Sequence, residues 1–201
     1  MITIVIINFE KQEVIKLICE VGKIEYTFKG VSFQDWPHVK PTTKYGQMPF
    51  VRSTEDPSFE LCQSIAIARF FAREAGLYPT NNVDAAYSDE YVNTVKDLTD
   101  AFYKAFFAPA ETKEEEMKKY FSGPFQSILG ALEKEVSSSG FMVHGDSMTW
   151  ADLYVFDFLN GVGSLPGADL RDFPKLVALR DRIAENEQVK AYLDSDRNLR
   201  K

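Results

Sequence analysis

Side chains that commonly perform nucleophilic or metal chemistry are few and widely separated in this 201-residue sequence. Cys19 and Cys62 form no CxxC pair, and neither has a Cys or His companion at metal-ligand spacing. A structural zinc site and a disulfide scaffold are therefore disfavoured, and both thiols are predicted to be small buried hydrophobes. His38 and His144 are also far apart. A Ser/His/Asp or Cys/His arrangement converges only in space and stays open, although nothing in the sequence favours one.

Charge and hydropathy exclude several other functions. The 23 Lys and Arg residues are outnumbered by 30 Asp and Glu residues, which gives a net charge of −7, whereas a nucleic-acid binder needs a basic surface. No apolar run approaches the ~20 residues of a membrane span. Residues 1–7 lack a basic flank and are predicted to form a buried strand rather than a targeting segment. Without a GxGxxG, Walker or HExxH motif, the sequence predicts a cytoplasmic protein with no nucleic-acid, membrane or metal partner.

Strand-like and helix-like patterns alternate in the first third of the chain. The β-branched run 2–7 is apolar on both faces, as in a central strand. Gln63 and Ser64 lie where a predicted strand is followed by a predicted helix. The predicted elements are strands at 2–7, 24–28, 48–51 and 58–61, and helices at 11–21 and 63–75.

Beyond residue 82 the sequence predicts helices without a convincing strand. Residues 77–82 contain turn-forming and polar residues and are the predicted linker between a domain at 1–76 and an all-helical domain at 83–201. Apolar residues recur at helical spacing from 83 to 106, and a second helix is predicted from about 113 to 136. Thr149 and Asp152 have capping-box spacing, which predicts a structural cap rather than a catalytic carboxylate.

Three segments in compact succession carry a family resemblance. They are Phe33-Gln34-Asp35-Trp36-Pro37, Tyr45-Gly46-Gln47-Met48-Pro49-Phe50 and Cys62-Gln63-Ser64-Ile65-Ala66-Ile67-Ala68-Arg69. In this order they resemble the glutathione transferase family, nearest the sigma-type branch with its nematode enzymes and haematopoietic prostaglandin D synthases. The resemblance covers nearly the whole chain, including the capping segment 145–152. It implies a thioredoxin-like α/β N-terminal domain, an all-α C-terminal domain, a homodimer and glutathione as co-substrate, with no metal.

The resemblance also implies a set of glutathione contacts. The backbone of Met48, before a cis Pro49, would pair with the cysteinyl part of glutathione, and Gln63 and Ser64 would bind the γ-glutamyl carboxylate. Turn and cap roles for Pro49 and Ser64, and a core role for Trp36, are the alternative interpretations. The remaining implied contacts are Trp36 and Lys40 at the glycyl end, Lys11 as a further local cation, Gln47 through its amide, and Asp97 of the partner subunit at the ligand's ammonium.

The first strand departs from the family. Its motif Tyr-Phe-x-x-Arg-Gly-Arg-Ala-Glu, matched at Glu13, places the tyrosine position at Val5, or at Ile6 or Ile7 if the loop is shorter. None of the three carries a hydroxyl to stabilise a thiolate. The Asn8 amide and the N-terminus of the following helix are the remaining candidates, and Asn8 is the candidate catalytic residue. Loss of a hydrogen bond worth ~1.5–3 kcal/mol predicts that the thiolate form of glutathione is favoured roughly ten- to hundredfold less than in a tyrosine-containing relative.

Three hypotheses about function follow from the resemblance. The favoured one is an enzyme that conjugates glutathione to small hydrophobic electrophiles, as in detoxification, or isomerises them, with weak activity. The second is an inactive homologue with a binding or structural role, as lens crystallins of cephalopods are. A thiol–disulfide or dehydroascorbate reductase is the least favoured, because Cys19 lies too deep in its helix. The electrophile pocket is expected on the helical domain at Phe102, Tyr103, Phe106 or Phe107, although such stripes also form cores.

Overall fold

The computed structural model describes residues 2–7 and 13–198, and these form two compact units. The first contains the described residues of Met1–Tyr78 and Glu187–Lys201, and the second is Pro79–Asn186. The C-terminal segment from Glu187 thus packs with the α/β unit, whereas the sequence-based division placed residues 83–201 in one helical domain. The break after Tyr78 falls inside the predicted linker 77–82.

The first unit is built on a four-stranded sheet of order β2-β1-β3-β4. β1 pairs in parallel with β2 and antiparallel with β3, and β3 pairs antiparallel with β4. β1 is therefore an interior strand, as its apolar sequence predicted. The strands are β1 (Ile2–Ile7), β2 (Tyr26–Val31), β3 (Phe50–Ser53) and β4 (Glu60–Cys62).

Strands β3 and β4 begin two residues later than the sequence predicted. Pro49 has no N–H to donate to a ladder, so regular pairing begins at Phe50, opposite Cys62. Before β4, the Asp56 carboxylate accepts hydrogen bonds from the Ser58 backbone N–H and hydroxyl, at 2.9 and 2.6 Å. These bonds keep Ser58 in the turn.

In the first unit, α1 (Val14–Val21) packs against both α3 (Ser64–Glu74) and α9 (Glu187–Asp194). Gly22 permits the close approach of α1 and α3, because a Cβ there would lie 2.3 Å from the Ala75 Cβ. The α9 segment is joined to α1 by a buried group: Lys16 contacts Glu13 at 2.5 Å, and the Tyr192 hydroxyl donates to Glu13. A short α2 (Trp36–Val39) and a 3₁₀ turn (Lys40–Thr42) connect β2 to β3.

The second unit is all-helical and is centred on α7 (Trp150–Gly161). Residues 150–159 of α7 are all buried, and α7 packs against α4 and α8. Asn81 caps α4 by accepting hydrogen bonds from the N–H groups of Val83 and Asp84. The other helices are α4 (Asn82–Phe106), α5 (Ala110–Tyr120), α6 (Gln126–Glu135) and α8 (Pro174–Ala184).

The helix predicted at about 113–136 is interrupted. The structure has α5, a π-helical turn at Phe121–Phe125, and α6. Pro124 lies inside the turn and cannot donate to the helical ladder, which accounts for the widened turn. Among the described residues, no helix combines the length and apolar character needed to span a membrane.

Candidate functional site

The connection between β2 and β3 is anchored on the end of the sheet. Trp36, Val39 and Met48 are half-buried and pack against a core cluster of Val31, Phe50 and Cys62. Trp36 thus packs partly on the core and stays partly exposed, so its expected role at the glycyl end of glutathione stays a prediction. The packing also holds the α2 segment and Met48 against the same patch of the sheet.

Met48 and Pro49 are joined by a cis peptide bond, as expected. Just before them, Gly46 has φ +62°, and its missing side chain leaves room for the exposed Lys40. A Cβ on Gly46 would lie 3.3 Å from Lys40 Cε. The Lys40 side chain therefore lies alongside Gly46, the residue before Gln47.

Gln63 joins this loop to the start of α3. Its amide nitrogen donates to Gln47 Oε1 at 3.2 Å, so its side chain does not cap the N–H groups of α3. The Gln63 backbone has φ 76° and ψ 113°, a conformation that residues with a Cβ rarely adopt. Ser64 follows as the first helical residue and is half-buried. Trp36, Lys40, Gln47, Met48, Pro49, Gln63 and Ser64 are therefore linked by contacts or sequence adjacency within the first unit.

An ion pair that the sequence analysis missed holds this loop. The Glu60 carboxylate accepts the Lys44 N–H at 2.8 Å and Arg52 Nε at 2.7 Å, and Arg52 also donates to the Thr42 carbonyl. Burial would raise the pKa of Glu60, but these hydrogen bonds hold it below its usual range. Arg52 faces Glu60 across the β3–β4 ladder, so the hairpin register with its opposite charges was the available signal.

The predicted thiol-activating residues lie largely outside this geometry. Asn8 and Lys11 fall outside the described residues. Val5, Ile6 and Ile7 lie on β1, where Val5 pairs with Lys29 and Phe50. Asp97 is exposed on α4 in the second unit, and its expected role in a partner's site stays a prediction.

Neither cysteine is placed to act as a nucleophile. Cys19 and Cys62 are free and buried, as predicted. Burial, with the Glu20 charge beside it, raises the pKa of the Cys19 thiol, and burial with nearby Glu60 raises the pKa of Cys62. Both thiols therefore stay protonated at neutral pH, which argues against the reductase hypothesis. No group of three or more His, Cys, Asp or Glu side chains suited to a metal ion occurs within residues 2–7 and 13–198.

The predicted capping box at α7 is confirmed. Asp152 Oδ2 accepts the Thr149 N–H at 2.7 Å and the Thr149 hydroxyl at 2.8 Å. Its other oxygen accepts the Met142 N–H at 2.7 Å, a contact the sequence did not indicate. Burial raises the pKa of this fully enclosed carboxyl, and the hydrogen bonds oppose the shift. Asp152 thus has a structural role in closing the helix end and fixing the preceding loop.

The aromatic residues near the end of α4 divide between core and surface. Phe102 is buried and makes an edge contact with Tyr120 at 5.6 Å between ring centroids. Phe107 is 63% exposed, lies edge-on to Phe106 at 5.3 Å and stacks with Tyr103 at 6.0 Å. These aromatic residues are therefore part of the core at Phe102 and accessible to solvent at Phe107.

Residues 96–196, half of the chain, match the family described as "Glutathione S-transferase, C-terminal domain". The chain is also 30% identical to the hematopoietic prostaglandin D synthase of Gallus gallus over 188 residues, 91% of this chain and 89% of the relative. The chain belongs to the glutathione S-transferase family. The transferase-like fold and function predicted from the sequence are thereby confirmed.

Two further comparisons agree with this assignment. A probable glutathione S-transferase 6 of Caenorhabditis elegans is 30% identical over 190 residues, 91% of this chain and 90% of the relative. The solved prostaglandin synthase D of Nilaparvata lugens superposes with a TM-score of 0.87 and covers 98% of each chain at 22% identity. At that identity, the superposition shows the fold alone. The α/β unit followed by helices is thus the glutathione transferase architecture.

Proposed function

We propose that this transferase-family protein binds glutathione in its first unit and directs the thiol at small hydrophobic electrophiles. In a conjugation, the thiol releases its proton to solvent, the sulfur forms a bond to an electrophilic carbon, and the leaving group departs with its electron pair. In an isomerisation, glutathione is regenerated. Membership of the family supports both reaction types, because the relatives include transferases and a prostaglandin D synthase.

The observation that carries the proposal is the conformation of Gln63. For a residue with a Cβ, a backbone conformation at φ 76° is unfavourable by about 1–3 kcal/mol. Such strained residues cluster at active sites and ligand-binding sites. Gln63 directs its amide to Gln47 and leaves the start of α3 open. The first N–H groups of a helix attract anions. The γ-glutamyl carboxylate is the group of glutathione that fits there, with the Ser64 hydroxyl as an additional donor.

The other end of glutathione would be held by the β2–β3 loop. Lys40 is exposed and supplies a positive charge for the glycyl carboxylate, while the half-buried Trp36 offers a ring beside it. Met48, before Pro49, offers strand-like backbone groups to the cysteinyl segment. Local cations matter because the chain carries a net charge of −7 and glutathione is itself anionic. Lys11 is proposed as a further cation of the site.

Activation of the thiol is the weak step. A free thiol with a pKa near ~8.5 is mostly protonated at neutral pH, and Val5, Ile6 and Ile7 have no hydroxyl to shift it. We assign the remaining stabilisation to the Asn8 amide and to the N-terminal end of α1. The expected conjugation rate is roughly ten- to hundredfold below that of a tyrosine-containing relative.

The protein is further proposed to be a sigma-type, cytoplasmic homodimer. Large apolar side chains exposed on each unit support self-association: Phe33 and Tyr45 on the first, Val83 and Tyr87 on the second. A dimer would bring Asp97 of the partner subunit to the ligand's ammonium. Sedimentation over a range of concentrations tests this, and a monomer at all of them would refute it.

The second candidate function is a binding or structural protein without catalysis. The aliphatic residues of β1 favour it, because they lack the hydroxyl of the family's thiolate donor, while the residues proposed to contact glutathione are retained in the sequence. Retention on immobilised glutathione and conjugation to chlorodinitrobenzene separate the two. Retention with a slow rate supports the enzyme, and retention without a rate supports the inactive homologue. Absence of retention would refute glutathione binding, and a rate equal to that of a tyrosine-containing relative would refute the importance of β1.

A further inference from the structure

A cluster of buried ionisable side chains lies where α1 begins, and none of them has a role in the function proposed above. The α1 cluster is defined here as Glu13, Lys16 and Tyr192, each at most 2% exposed. Glu13 directly precedes Val14, the first residue of α1. Lys16 Nζ lies 2.5 Å from Glu13 Oε2, and the Tyr192 hydroxyl donates to the same oxygen. A carboxylate buried at the start of a helix is thus paired from two directions.

The α1 cluster joins three parts of the first unit. Besides contacting Glu13, Lys16 Nζ donates to the Arg197 carbonyl at 3.1 Å, and the Tyr192 hydroxyl lies 3.2 Å from the same carbonyl. The Lys16 ammonium also lies 4.5 Å from the centre of the Phe28 ring on β2. The C-terminal segment that carries Tyr192 and Arg197 is therefore attached to the first turn of α1 and to β2.

Burial makes the α1 cluster an expensive way to stabilise a fold. Charges removed from water need further hydrogen bonds, and well-packed apolar residues are often as stable as a buried ion pair. Here Glu13 Oε1 has no hydrogen-bond partner within residues 2–7 and 13–198. Hydrogen bonds depend on direction in a way that apolar contacts do not. The α1 cluster therefore specifies one position for the first turn of α1.

The charge of Glu13 gives the α1 cluster a second consequence. The N-terminal end of a helix attracts anions, and part of the thiolate stabilisation was assigned above to this end of α1. A bare Glu13 carboxylate would oppose a thiolate there, because a like charge nearby raises the pKa of a thiol. The Lys16 ammonium and the Tyr192 hydroxyl offset that charge. This end of α1 is therefore kept suitable for an anion.

We propose that Lys16 and Tyr192 are positioning residues for the reaction of glutathione. They hold the first turn of α1 in place and offset the charge of Glu13, so that this end of the helix stabilises the thiolate. Neither residue is proposed to contact glutathione. The inference rests on the function proposed above, because it accounts for the thiol activation that remains without a tyrosine hydroxyl on β1.

The test compares Tyr→Phe variants at the two ends of α1. Tyr192→Phe removes the hydroxyl that donates to Glu13 at the N-terminal end. The control, Tyr26→Phe, removes a hydroxyl that donates to Glu20 at 2.7 Å in the last turn of the same helix. The thiolate fraction of bound glutathione is measured by ultraviolet absorbance as a function of pH, and the free energy of unfolding is measured with urea.

Tyr192→Phe is expected to raise the pKa of the bound thiol and to leave roughly threefold less thiolate at neutral pH, while glutathione stays bound. Tyr26→Phe should leave the thiolate fraction unchanged. Both variants lose a hydrogen bond to a carboxylate, so both should lose stability. An unchanged thiolate fraction in Tyr192→Phe, or an equal decrease in the two variants, would overturn the proposal.

A substitution of Glu13 separates the effect of charge from a general loss of packing. Glu13→Gln removes the charge that Lys16 and Tyr192 offset. When it is combined with Tyr192→Phe, the second substitution should no longer decrease the thiolate fraction, whereas damage to packing would persist. A decrease as large as in the wild-type background would overturn the proposal.

Hydrogen exchange in the first turn of α1 distinguishes failure of this proposal from failure of glutathione binding. The Leu17 N–H donates to the Glu13 carbonyl at 2.9 Å, so its exchange rate reports on that turn without any ligand. Tyr192→Phe should speed this exchange and Tyr26→Phe should not, and equal rates in both would overturn the positioning role.

Retention of wild type on immobilised glutathione completes the comparison. If retention fails while Leu17 exchange still depends on Tyr192, the glutathione function is wrong and the positioning of α1 stands. If retention holds and the thiolate fraction does not respond to Tyr192→Phe, only the positioning proposal is wrong.

Discussion

The N-termini of α7 and α3 differ in which groups face their free backbone N–H groups. At α7, the buried Asp152 carboxylate accepts hydrogen bonds from Thr149 and closes the end of the helix. At α3, Gln63 turns its side chain to Gln47, and the first residues of the helix are only half-buried. Helix N-termini favour negative charge in both places. One end receives it from the chain itself, and the other is proposed to receive it from a ligand.

The comparison suggests a rule: a helix end that has a carboxylate partner within the chain is structural, as at α7, and one without such a partner, as at α3, is the proposed binding end. Closing α7 with Asp152 also fixes Met142, so that end contributes to stability and has no room for a ligand. Leaving α3 open requires Gln63 to hold an unfavourable backbone conformation, which lowers stability. Substitutions at the two ends should therefore affect different properties: stability at α7, and ligand binding at α3.

Asp152→Ala should produce the largest effect. The substitution leaves the backbone N–H groups of Met142 and Thr149 without their acceptor, and each buried unsatisfied group costs about 1–3 kcal/mol. The free energy of unfolding, measured with urea, should fall by about 3 kcal/mol. Asp146→Ala, at an exposed carboxylate in the same loop, should change it by less than about 0.5 kcal/mol. An unchanged melting temperature in Asp152→Ala would refute the structural role of this cap.

Ser64→Ala should affect binding instead. Loss of a hydroxyl that donates to a carboxylate corresponds to about 1.4 kcal/mol, or a roughly tenfold weaker glutathione dissociation constant by calorimetry. Stability should stay within about 0.5 kcal/mol, because Ser64 is the first helical residue and not the N-cap. Ser127→Ala, an exposed serine on α6, is the control and should change neither property. Lower stability with unchanged binding would mean that α3 is an ordinary capped helix.

Gln63→Gly should separate the backbone of Gln63 from its side chain. Glycine adopts φ 76° without the Cβ penalty, so the free energy of unfolding should rise by about 1 kcal/mol. Glutathione binding should weaken severalfold, because the amide that contacts Gln47 is lost. Both are measured as for Ser64→Ala. A variant that loses stability would show that Gln63 is not strained, and one that keeps full affinity would show that the side chain is not part of the site.

The sequence alone predicted the two ends unequally well. Thr149 and Asp152 are three residues apart, so local spacing is sufficient to identify their cap. The strand–helix junction at Gln63 was also visible, but its positive φ was not, because glutamine is not a residue type that favours this conformation. Residue types carry no direct record of backbone strain.

Long-range packing accounts for the other differences. The segment from Glu187 was predicted as part of the helical domain, and it joins the first unit through Tyr192 and Glu13, a contact that spans 179 positions. The Arg52–Glu60 pair required the register of the β3–β4 hairpin, which the sequence placed two residues too early. Periodicity predicted the elements, and pairing between elements decided their exact ends.

The smallest expected effect is the pH dependence of folding stability that comes from Glu60, which holds the loop in contact with Gln63. Hydrogen bonds from Lys44 and Arg52 hold the pKa of Glu60 below its usual value of ~4.3, so the folded state prefers the ionised carboxylate. Its contribution to stability is fully present above that value and is lost as the pH falls through the lower pKa of the folded state. Because Arg52 is 40% exposed, the contribution is under about 1 kcal/mol.

Glu60→Gln removes this titration. The loss of unfolding free energy between about pH 7 and 3, measured with urea, should therefore be smaller than in wild type by under about 1 kcal/mol. Glutathione binding at neutral pH should weaken about two- to threefold, because the loop that carries Lys40 and Gln47 loses its ionic anchor. Glu74→Gln, at an exposed glutamate on α3, is the control. An acid limb as steep in Glu60→Gln as in wild type would assign the pH dependence to other carboxyls. Glu60 is not proposed to contact glutathione. Weaker binding in Glu60→Gln would therefore show that its ion pair with Arg52 supports the site indirectly, by holding the loop that carries Lys40 and Gln47 in position.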